Sequence, residues 1–321
     1  MNLNRCREQF ESEPKYQLNI HTVFLLKENI PFLREWIIYN LNLGFDKIYL
    51  YDNTGSVGRN GSNKTTNKYN FNFDKIINLS DDQINTELND ILSTYKNNLI
   101  YIKWQPKNEK GDIVYGFNES VKDYIERTKD TTNIVYTAFI DIDEFIFSKL
   151  NVNLRNYIIE QYTYNTNKII LTQKKFTDRF CNNGNVVDIT NTIVGIDTSG
   201  WAYKQIINNK ALDVNNIVNM HNISILYGEI IFAPEDVFRF NHYNVNSKQI
   251  DWMKTYYSAD KFDYGTDNSM KRYTNISKQC GNKCSNMNNM INRNKIDSSL
   301  CPMIPTITTM SGGNNQRIED L

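Results

Sequence analysis

The chain has 321 residues, 40% of them hydrophobic, enough for one large α/β domain or a domain with an appendage. Its 36 basic and 36 acidic side chains cancel, which argues against a nucleic-acid binder because such binding needs a basic excess. The first residues lack an apolar signal region, and no apolar run approaches the roughly 20 residues that span a bilayer. A cytoplasmic protein without a membrane span is therefore expected.

Strands and helices are predicted to alternate at the start of the chain. NIHTVFLL (19–26) predicts a strand buried on both faces, and PFLREWIIYNLNLG (31–44) predicts a helix that begins at Pro and ends at Gly. DKIYLYDNTGS (46–56) predicts a second strand that stops in a turn. A strand, a helix and a strand in close succession form a βαβ unit, so we expect a parallel sheet here.

The same alternation continues to the middle of the chain. FDKIINL (73–79) predicts an edge strand, and DDQINTELNDILSTYK (81–96) predicts a helix with an aspartate as its N-cap. LIYIKWQ (99–105) predicts a core strand, and FNESVKDYIERTKD (117–130) an amphipathic helix. This helix leads into IVYTAFIDIDEFIF (134–147), an apolar run that ends in three acids.

Beyond residue 147 short strand-like segments follow one another with few helices: KIILTQKKF, NVVDITNTIVGI, AYKQIINN and EIIFAPEDVFRF. This texture predicts a mixed or antiparallel half. SKQIDWMKTYYSADK (247–261) predicts a last helix, and the polar sequence from about residue 275 predicts a poorly ordered tail.

The acids of the DID segment call for a counter-charge. On a strand, Asp141 and Asp143 would point to the same face and repel each other, and a divalent cation would relieve that repulsion. Oxygen ligands suit Mg²⁺ or Mn²⁺, and ligands of open α/β sheets bind beyond the carboxyl ends of the strands. A chance DxD, or an acid that caps a following helix, is the alternative.

Three segments resemble one family. AFIDIDEFIF resembles the metal-binding DxD segment of GT-A glycosyltransferases, in the DxDEF form of glycosyltransferase family 92 and its relatives near family 2. KENIPFLREWIIYNLNLGFDKIYLYDNTGS is similar to the opening of that family, and FNHYNVNSKQIDWMK resembles its His-Tyr motif with the following Ser and Lys-bearing helix. The resemblance implies an α/β fold of the GT-A, Rossmann-like, nucleotide-diphospho-sugar transferase type, with a mixed central sheet and flanking helices.

The resemblance also divides the chain. Residues 1–18 would be an N-terminal extension and residues 19–270 the GT-A domain. Within that domain, 19–145 would bind the nucleotide and 146–270 the acceptor. Residues 271–321 would form the polar tail.

A metal ion, Mn²⁺ or Mg²⁺, is implied as the cofactor. Asp141, Asp143 and His242 would hold it against the diphosphate of a nucleotide-sugar, where it would stabilise the charge of the leaving group. Glu144 would either accept a hydrogen bond behind the ligands or form a salt bridge.

Five residues are expected to contact the nucleotide-sugar: Lys27, Glu28, Asp52, Asp141 and Lys254. The first two would end the first strand, and Asp52 the second. Asp52 is equally suited to an Asx-turn, since DNTG is good turn sequence. A solvated charge is the alternative for Lys254.

The catalytic base is open among Asp178, Glu235 and Asp236, which all lie in the acceptor half. His21 is expected to be a satisfied core residue and His221 to be structural.

These implications combine into one expected function. It is metal-dependent transfer of a hexose, with galactose as one option, from a UDP-sugar to a glycan or other hydroxyl acceptor, with inversion. A degenerate domain that binds carbohydrate or acts as a scaffold is one alternative. A nucleotidyltransferase is another, but LLKENIPF lacks the Gly-rich basic loop that this class needs after its first strand.

Overall fold

The computed structural model describes residues 15–56, 79–176, 193–195, 203–243, 264–266 and 269–270. Several predicted features lie outside this part of the chain: most of the extension at 1–18, all but the last residue of the edge strand at 73–79, the helix at 247–261, the tail at 271–321, Asp178 and Lys254.

Helices and strands alternate in the first half of the chain and strands dominate the second. The helices are α1 (Leu26–Leu43), α2 (Asp81–Thr94), α3 (Phe117–Thr128) and α4 (Leu154–Thr163). The strands up to the middle of the chain are β1 (Tyr16–Phe24), β2 (Lys47–Asp52), β3 (Leu99–Lys103), β4 (Ile134–Phe139) and β5 (Glu144–Ser148). The later strands are β6 (Thr166–Phe176), β7 (Ile193–Gly195), β8 (Tyr203–Asn208), β9 (Leu212–Asn219), β10 (Asn222–Ile225), β11 (Glu229–Phe232), β12 (Phe238–Tyr243) and β13 (Tyr264–Thr266).

The first four strands form a parallel sheet in the order β3–β2–β1–β4. This confirms the parallel arrangement that the βαβ pattern predicts. The order is that of one half of a doubly wound nucleotide-binding sheet, in which the direction of strand addition reverses beside β1.

The second half continues the sheet with mixed directions. β8 is antiparallel to both β4 and β6, whereas β11 and β12 are parallel to β6. β12 is also antiparallel to β5, and β9 and β10 form a separate antiparallel pair. The predicted Rossmann-like α/β fold, with a mixed central sheet and flanking helices, is confirmed.

Side chains alternate between the two faces of the central strands, so the sheet has one hydrophobic core on each face. Ile20 of β1 and Leu50 of β2 belong to the core that α1 and α2 cover, whereas Val23 and Tyr51 belong to the core that α3 covers. Each fully buried aliphatic side chain contributes about 1.5–3 kcal/mol. Among the described residues, no helix is both long enough and apolar enough to cross a membrane.

Helix α1 begins before the position that the sequence predicts. It starts at Leu26 rather than Pro31, directly after β1, and ends at Gly44 in the left-handed conformation as predicted. The amide of Leu26 donates to the Thr54 hydroxyl at 2.9 Å. This partner follows β2, so the start of α1 depends on a tertiary contact that local sequence does not reveal.

Two other helical expectations need correction. The N-cap of α2 is Ser80 rather than Asp81, because Ser80 and Gln83 form a reciprocal capping box. Helix α4 was not predicted at all, although Asn153 caps its start by accepting from the amide of Asn156.

His21 lies in the core as predicted. Its ring is buried among the rings of Tyr51, Phe117, Tyr124 and Phe139. Its Nε2 lies 3.1 Å from the Ser120 hydroxyl, but its Nδ1 has no hydrogen-bond partner among the described residues, so the ring is satisfied at one nitrogen only.

Burial lowers the pKa of His21 to about 3. Below pH 6.5 the histidine of the unfolded chain therefore binds a proton, whereas His21 of the folded chain stays neutral. The free energy of unfolding consequently decreases as the pH is lowered. We expect the free energy of unfolding to drop by about 2 kcal/mol more between pH 6.5 and 5 in the wild type than in His21→Phe. Urea unfolding of both proteins at both pH values measures this, since their shared groups cancel in the comparison. Equal pH dependence in the two proteins would contradict it.

Candidate active site

The DID segment forms a turn rather than the end of a strand. β4 ends at Phe139, and β5 starts at Glu144. The Glu144 amide donates to the Asp141 carbonyl at 3.1 Å, and the Asp141 amide donates to Oε2 of Glu144 at 2.9 Å. The expectation that Asp141 and Asp143 share a strand face is therefore wrong, because these residues do not belong to a strand.

A buried lysine binds two of the three carboxylates. Nζ of Lys204, on β8, lies 2.9 Å from Oδ2 of Asp141 and 2.9 Å from Oε2 of Glu144. The Lys204 and Glu144 side chains are 0% and 1% exposed, whereas that of Asp141 is 31% exposed. The salt-bridge alternative for Glu144 is therefore correct, and its partner is Lys204.

Burial and charge act in opposite directions on this pair. Burial raises the pKa of Glu144 to about 7, while Lys204 opposes the rise and Asp141 adds to it. Burial alone would lower the pKa of Lys204, but Asp141 and Glu144 together hold it above its usual value. The ammonium is thus firmly protonated, as a charge that compensates two acids must be.

A second group of side chains can hold a metal. Asp143, Glu144 and His242 each present one ligand atom, and these three atoms lie within 4.8 Å of one another. Nε2 of His242 is 3.2 Å from Oδ2 of Asp143, and its Nδ1 is 3.9 Å from Oε1 of Glu144. Antiparallel pairing sets this geometry because it places His242 of β12 opposite Glu144 of β5.

Gln173 of β6 orients the imidazole. Its amide nitrogen lies 2.6 Å from Nδ1 of His242. A ring nitrogen that binds a metal carries no proton, so a metal on Nε2 requires the proton on Nδ1. The Gln173 amide, turned over by 180°, would then accept a hydrogen bond from Nδ1 through its oxygen. Gln173 is thus the residue behind the ligand that fixes ring orientation.

Asp52 has the Asx-turn geometry that the sequence leaves open. Its buried carboxylate accepts from the amide of Thr54 at 3.0 Å and from the Tyr101 hydroxyl at 2.6 Å. The Thr54 hydroxyl and the Lys103 ammonium are further donors to it. These four donors match the four acceptor sites of a carboxylate, so a contact with a nucleotide would require Asp52 to give up a partner.

Lys27 and Glu28 do not end the first strand. Both belong to the first turn of α1, because β1 stops at Phe24. The Lys27 ammonium lies 3.9 Å from Oδ1 of Asp81, at the start of α2. Their expected contact with the nucleotide stays a prediction.

The described candidates for the catalytic base lie away from the acidic group. Glu235 and Asp236 lie in the turn that precedes β12, whereas His242 is near the far end of this strand, about 13 Å beyond its first residue, Phe238, at the rise of an extended strand. Asp236 is exposed and paired with Lys149 at 2.9 Å, which lowers the pKa of its carboxyl. The structure therefore does not bring these two acids to the site.

His221 lies in the turn between β9 and β10, with its Nδ1 2.9 Å from the Tyr203 carbonyl.

The sequence predicts no role at the site for Lys204 or Gln173. Lys204 carries a weak signal, since a lysine in the strand-like segment YKQIIN must have a partner if the strand is buried. Gln173 carries none, because its role depends on the pairing of β6 with β12.

No protein-family profile matches the chain, and no curated protein matches it significantly. Matching solved structures include a UDP-glucose pyrophosphorylase from Acinetobacter baumannii, at 10% identity over 84% of this chain and 94% of that chain, with a TM-score of 0.30. A UDP-glucose pyrophosphorylase complexed with UDP-glucose aligns at 9% identity over 85% of this chain and 98% of its own, with a TM-score of 0.31. A UTP-bound enzyme from A. baumannii aligns at 9% identity over 84% and 94%, with a TM-score of 0.31. Likenesses this distant carry no argument about activity.

Proposed function

We propose that this protein is a metal-dependent glycosyltransferase that moves a hexose from a UDP-sugar to a hydroxyl of a glycan or another acceptor. The observation that carries the proposal is the convergence of Asp143, Glu144 and His242 beyond the carboxyl end of β4. β4 adjoins β1, where the strand order reverses, and open α/β sheets bind their ligands beyond the strand ends at such a point. The resemblance of AFIDIDEFIF and the His-Tyr motif to glycosyltransferase family 92 supports the same reaction.

The donor set fits a hard divalent cation. Two carboxylates and one imidazole suit Mn²⁺, and the carboxylates also suit Mg²⁺. Asp143, Glu144 and His242 would hold the ion, which differs from the sequence-based set by replacing Asp141 with Glu144. Once bound, such an ion neutralises the charge that develops on a leaving diphosphate.

Asp141 has a different role in this proposal. Its Oδ2 is held by Lys204, and the 31% exposure of its side chain leaves the carboxylate within reach of a ligand. A carboxylate fixed in this way can accept a hydrogen bond from a hydroxyl of the donor, which orients the sugar. Asp141 would thus bind the donor, and Asp143 would bind the metal.

The second candidate is a nucleotidyltransferase, the alternative that the sequence leaves open. Against it stands the start of α1, which follows β1 directly. There is no room at this junction for a Gly-rich basic loop that would wrap the phosphates of a nucleoside triphosphate. The glycosyltransferase is therefore the better reading.

One assay separates the candidates. The protein is incubated with UDP-galactose or UDP-glucose and Mn²⁺, and free UDP is measured with and without chelator. Mn²⁺-dependent release of UDP is the expected result. Formation of UTP from UDP-sugar and pyrophosphate would instead establish the nucleotidyltransferase. No turnover, together with no Mn²⁺-dependent thermal stabilisation by UDP, would leave only a binding module and contradict the proposal.

A further inference from the structure

Glu144 has a different neighbour at each of its two carboxylate oxygens. Oε2 accepts from Nζ of Lys204 at 2.9 Å, and Oε1 faces Nδ1 of His242 at 3.9 Å, within the group that can hold a metal. Two-metal enzymes hold their ions about 3.5–4 Å apart. A carboxylate can bridge two such ions by binding one with each oxygen. Here the ligand atoms of the first ion are present, and an ammonium stands beside the other oxygen.

The ammonium of Lys204 is buried and bound by two carboxylates, as a metal cation would be, whereas the ammonium of an ordinary surface salt bridge is exposed to solvent. The Lys204 side chain has no exposure to solvent, and Nζ is equidistant, at 2.9 Å, from carboxylate oxygens of Asp141 and Glu144. The backbone amide of Asp141 also donates to Oε2 of Glu144, so the turn is built around this contact. An isolated ammonium could not stay charged in such a place without both acids.

We infer that the ammonium of Lys204 occupies the position of a second divalent cation and limits the site to one metal ion. Lys204 is thus a positioning residue: it compensates Asp141 and one oxygen of Glu144, leaving Asp143, the other oxygen of Glu144 and His242 for the exchangeable ion. The identity of that ion rests on the proposed function, but the limit set by Lys204 is measurable separately.

The test is the number of Mn²⁺ ions bound per chain in the wild type and in Lys204→Met. Methionine keeps most of the length and removes the charge, so the carboxylates of Asp141 and Glu144 lose the ammonium that lies between them. We expect the variant to bind one ion more than the wild type, by calorimetric titration and by metal analysis after equilibrium dialysis. We also expect dipolar broadening of the Mn²⁺ EPR signal, because two ions would share Glu144. A structural role alone would change neither readout.

Two control variants isolate the charge. Lys204→Arg keeps the positive charge, so its ion count should equal that of the wild type. Lys168→Met removes another buried lysine, whose ammonium donates to the Ile223 carbonyl rather than to a carboxylate, and should add no ion. An extra ion in either control would overturn the inference.

The outcomes separate this inference from the proposed function. A wild type that binds no Mn²⁺ contradicts the proposed metal site, whereas the inference concerns only the gain of one ion in Lys204→Met. An equal count in both proteins overturns the inference and leaves the proposed function intact. If Lys204→Met does not fold in chelator, Mn²⁺ is added during refolding: rescue, seen by circular dichroism, supports the inference, and no rescue in millimolar Mn²⁺ overturns it.

Discussion

Asp143→Ala is expected to lower kcat/KM for Mn²⁺-dependent turnover of a UDP-sugar by about three orders of magnitude. A metal on a leaving diphosphate is worth several kcal/mol of transition-state stabilisation, and Asp143 supplies one of only three described protein ligands. The carboxylate lies 3.2 Å from Nε2 of His242, so its removal also takes away one polar contact of the ring. Release of UDP, measured at saturating Mn²⁺ and again across a Mn²⁺ titration, checks the prediction.

Two other aspartates serve as matched controls. Asp141→Asn should retain Mn²⁺ affinity and raise KM for the donor, because this carboxylate binds Lys204 and its proposed role is to bind the donor rather than the ion. Asp236→Ala should change neither quantity, since it removes only an exposed pair with Lys149, worth about 0–1 kcal/mol. Wild-type turnover in Asp143→Ala would contradict the metal assignment, and a loss of turnover in Asp236→Ala would restore that residue as the catalytic base.

The parallel half of the fold was predictable because its signals are local. Short stretches of sequence suffice to predict the buried strands, the βαβ succession and the end of the first helix at Gly44. The structure agrees with these predictions. The start of α1 could not be predicted from local sequence, because the Thr54 hydroxyl that binds the Leu26 amide belongs to the turn after β2. Helix α4 was missed because it stands among strand-like segments and its cap, Asn153, is one of many asparagines.

The candidate site was predictable in part for a similar reason. The three acids of the DID segment are adjacent in sequence, and His242 was found through a motif. The assignment of faces failed because it assumed a strand, whereas the chain turns after Phe139. Lys204 and Gln173 reach the site across the sheet, 63 residues from Asp141 and 69 residues from His242 respectively. Only strand pairing brings them there, and the order of the strands in a mixed sheet is not contained in any local pattern.

Two side chains of helix α1 donate hydrogen bonds to the backbone of β5, the strand that carries Glu144. Nε1 of Trp36 donates to the Glu144 carbonyl at 2.8 Å, and the Tyr39 hydroxyl donates to the Ile146 carbonyl at 2.6 Å. These carbonyls belong to alternate residues of β5, so they point to the same edge, away from its bonded partner strand. The helix thus satisfies backbone groups that would otherwise be buried without partners.

Trp36→Ala is expected to destabilise the protein by about 3–5 kcal/mol, because it leaves a large cavity in the core and an unsatisfied carbonyl at Glu144. Urea unfolding measures the loss. Trp36→Phe and Tyr39→Phe then separate the two causes. Each keeps an aromatic ring and deletes one donor to β5, at an expected cost of about 1–3 kcal/mol.

The pair of conservative variants also tests whether α1 positions the site. Only Trp36→Phe removes the hydrogen bond to the carbonyl of Glu144, whose carboxylate lies in the metal-binding group. We therefore expect weaker Mn²⁺ binding in Trp36→Phe, and wild-type affinity in Tyr39→Phe at similar loss of stability. Equal Mn²⁺ affinities in the two variants would contradict a link from α1 to the metal site. The role of Trp36 would then be confined to packing.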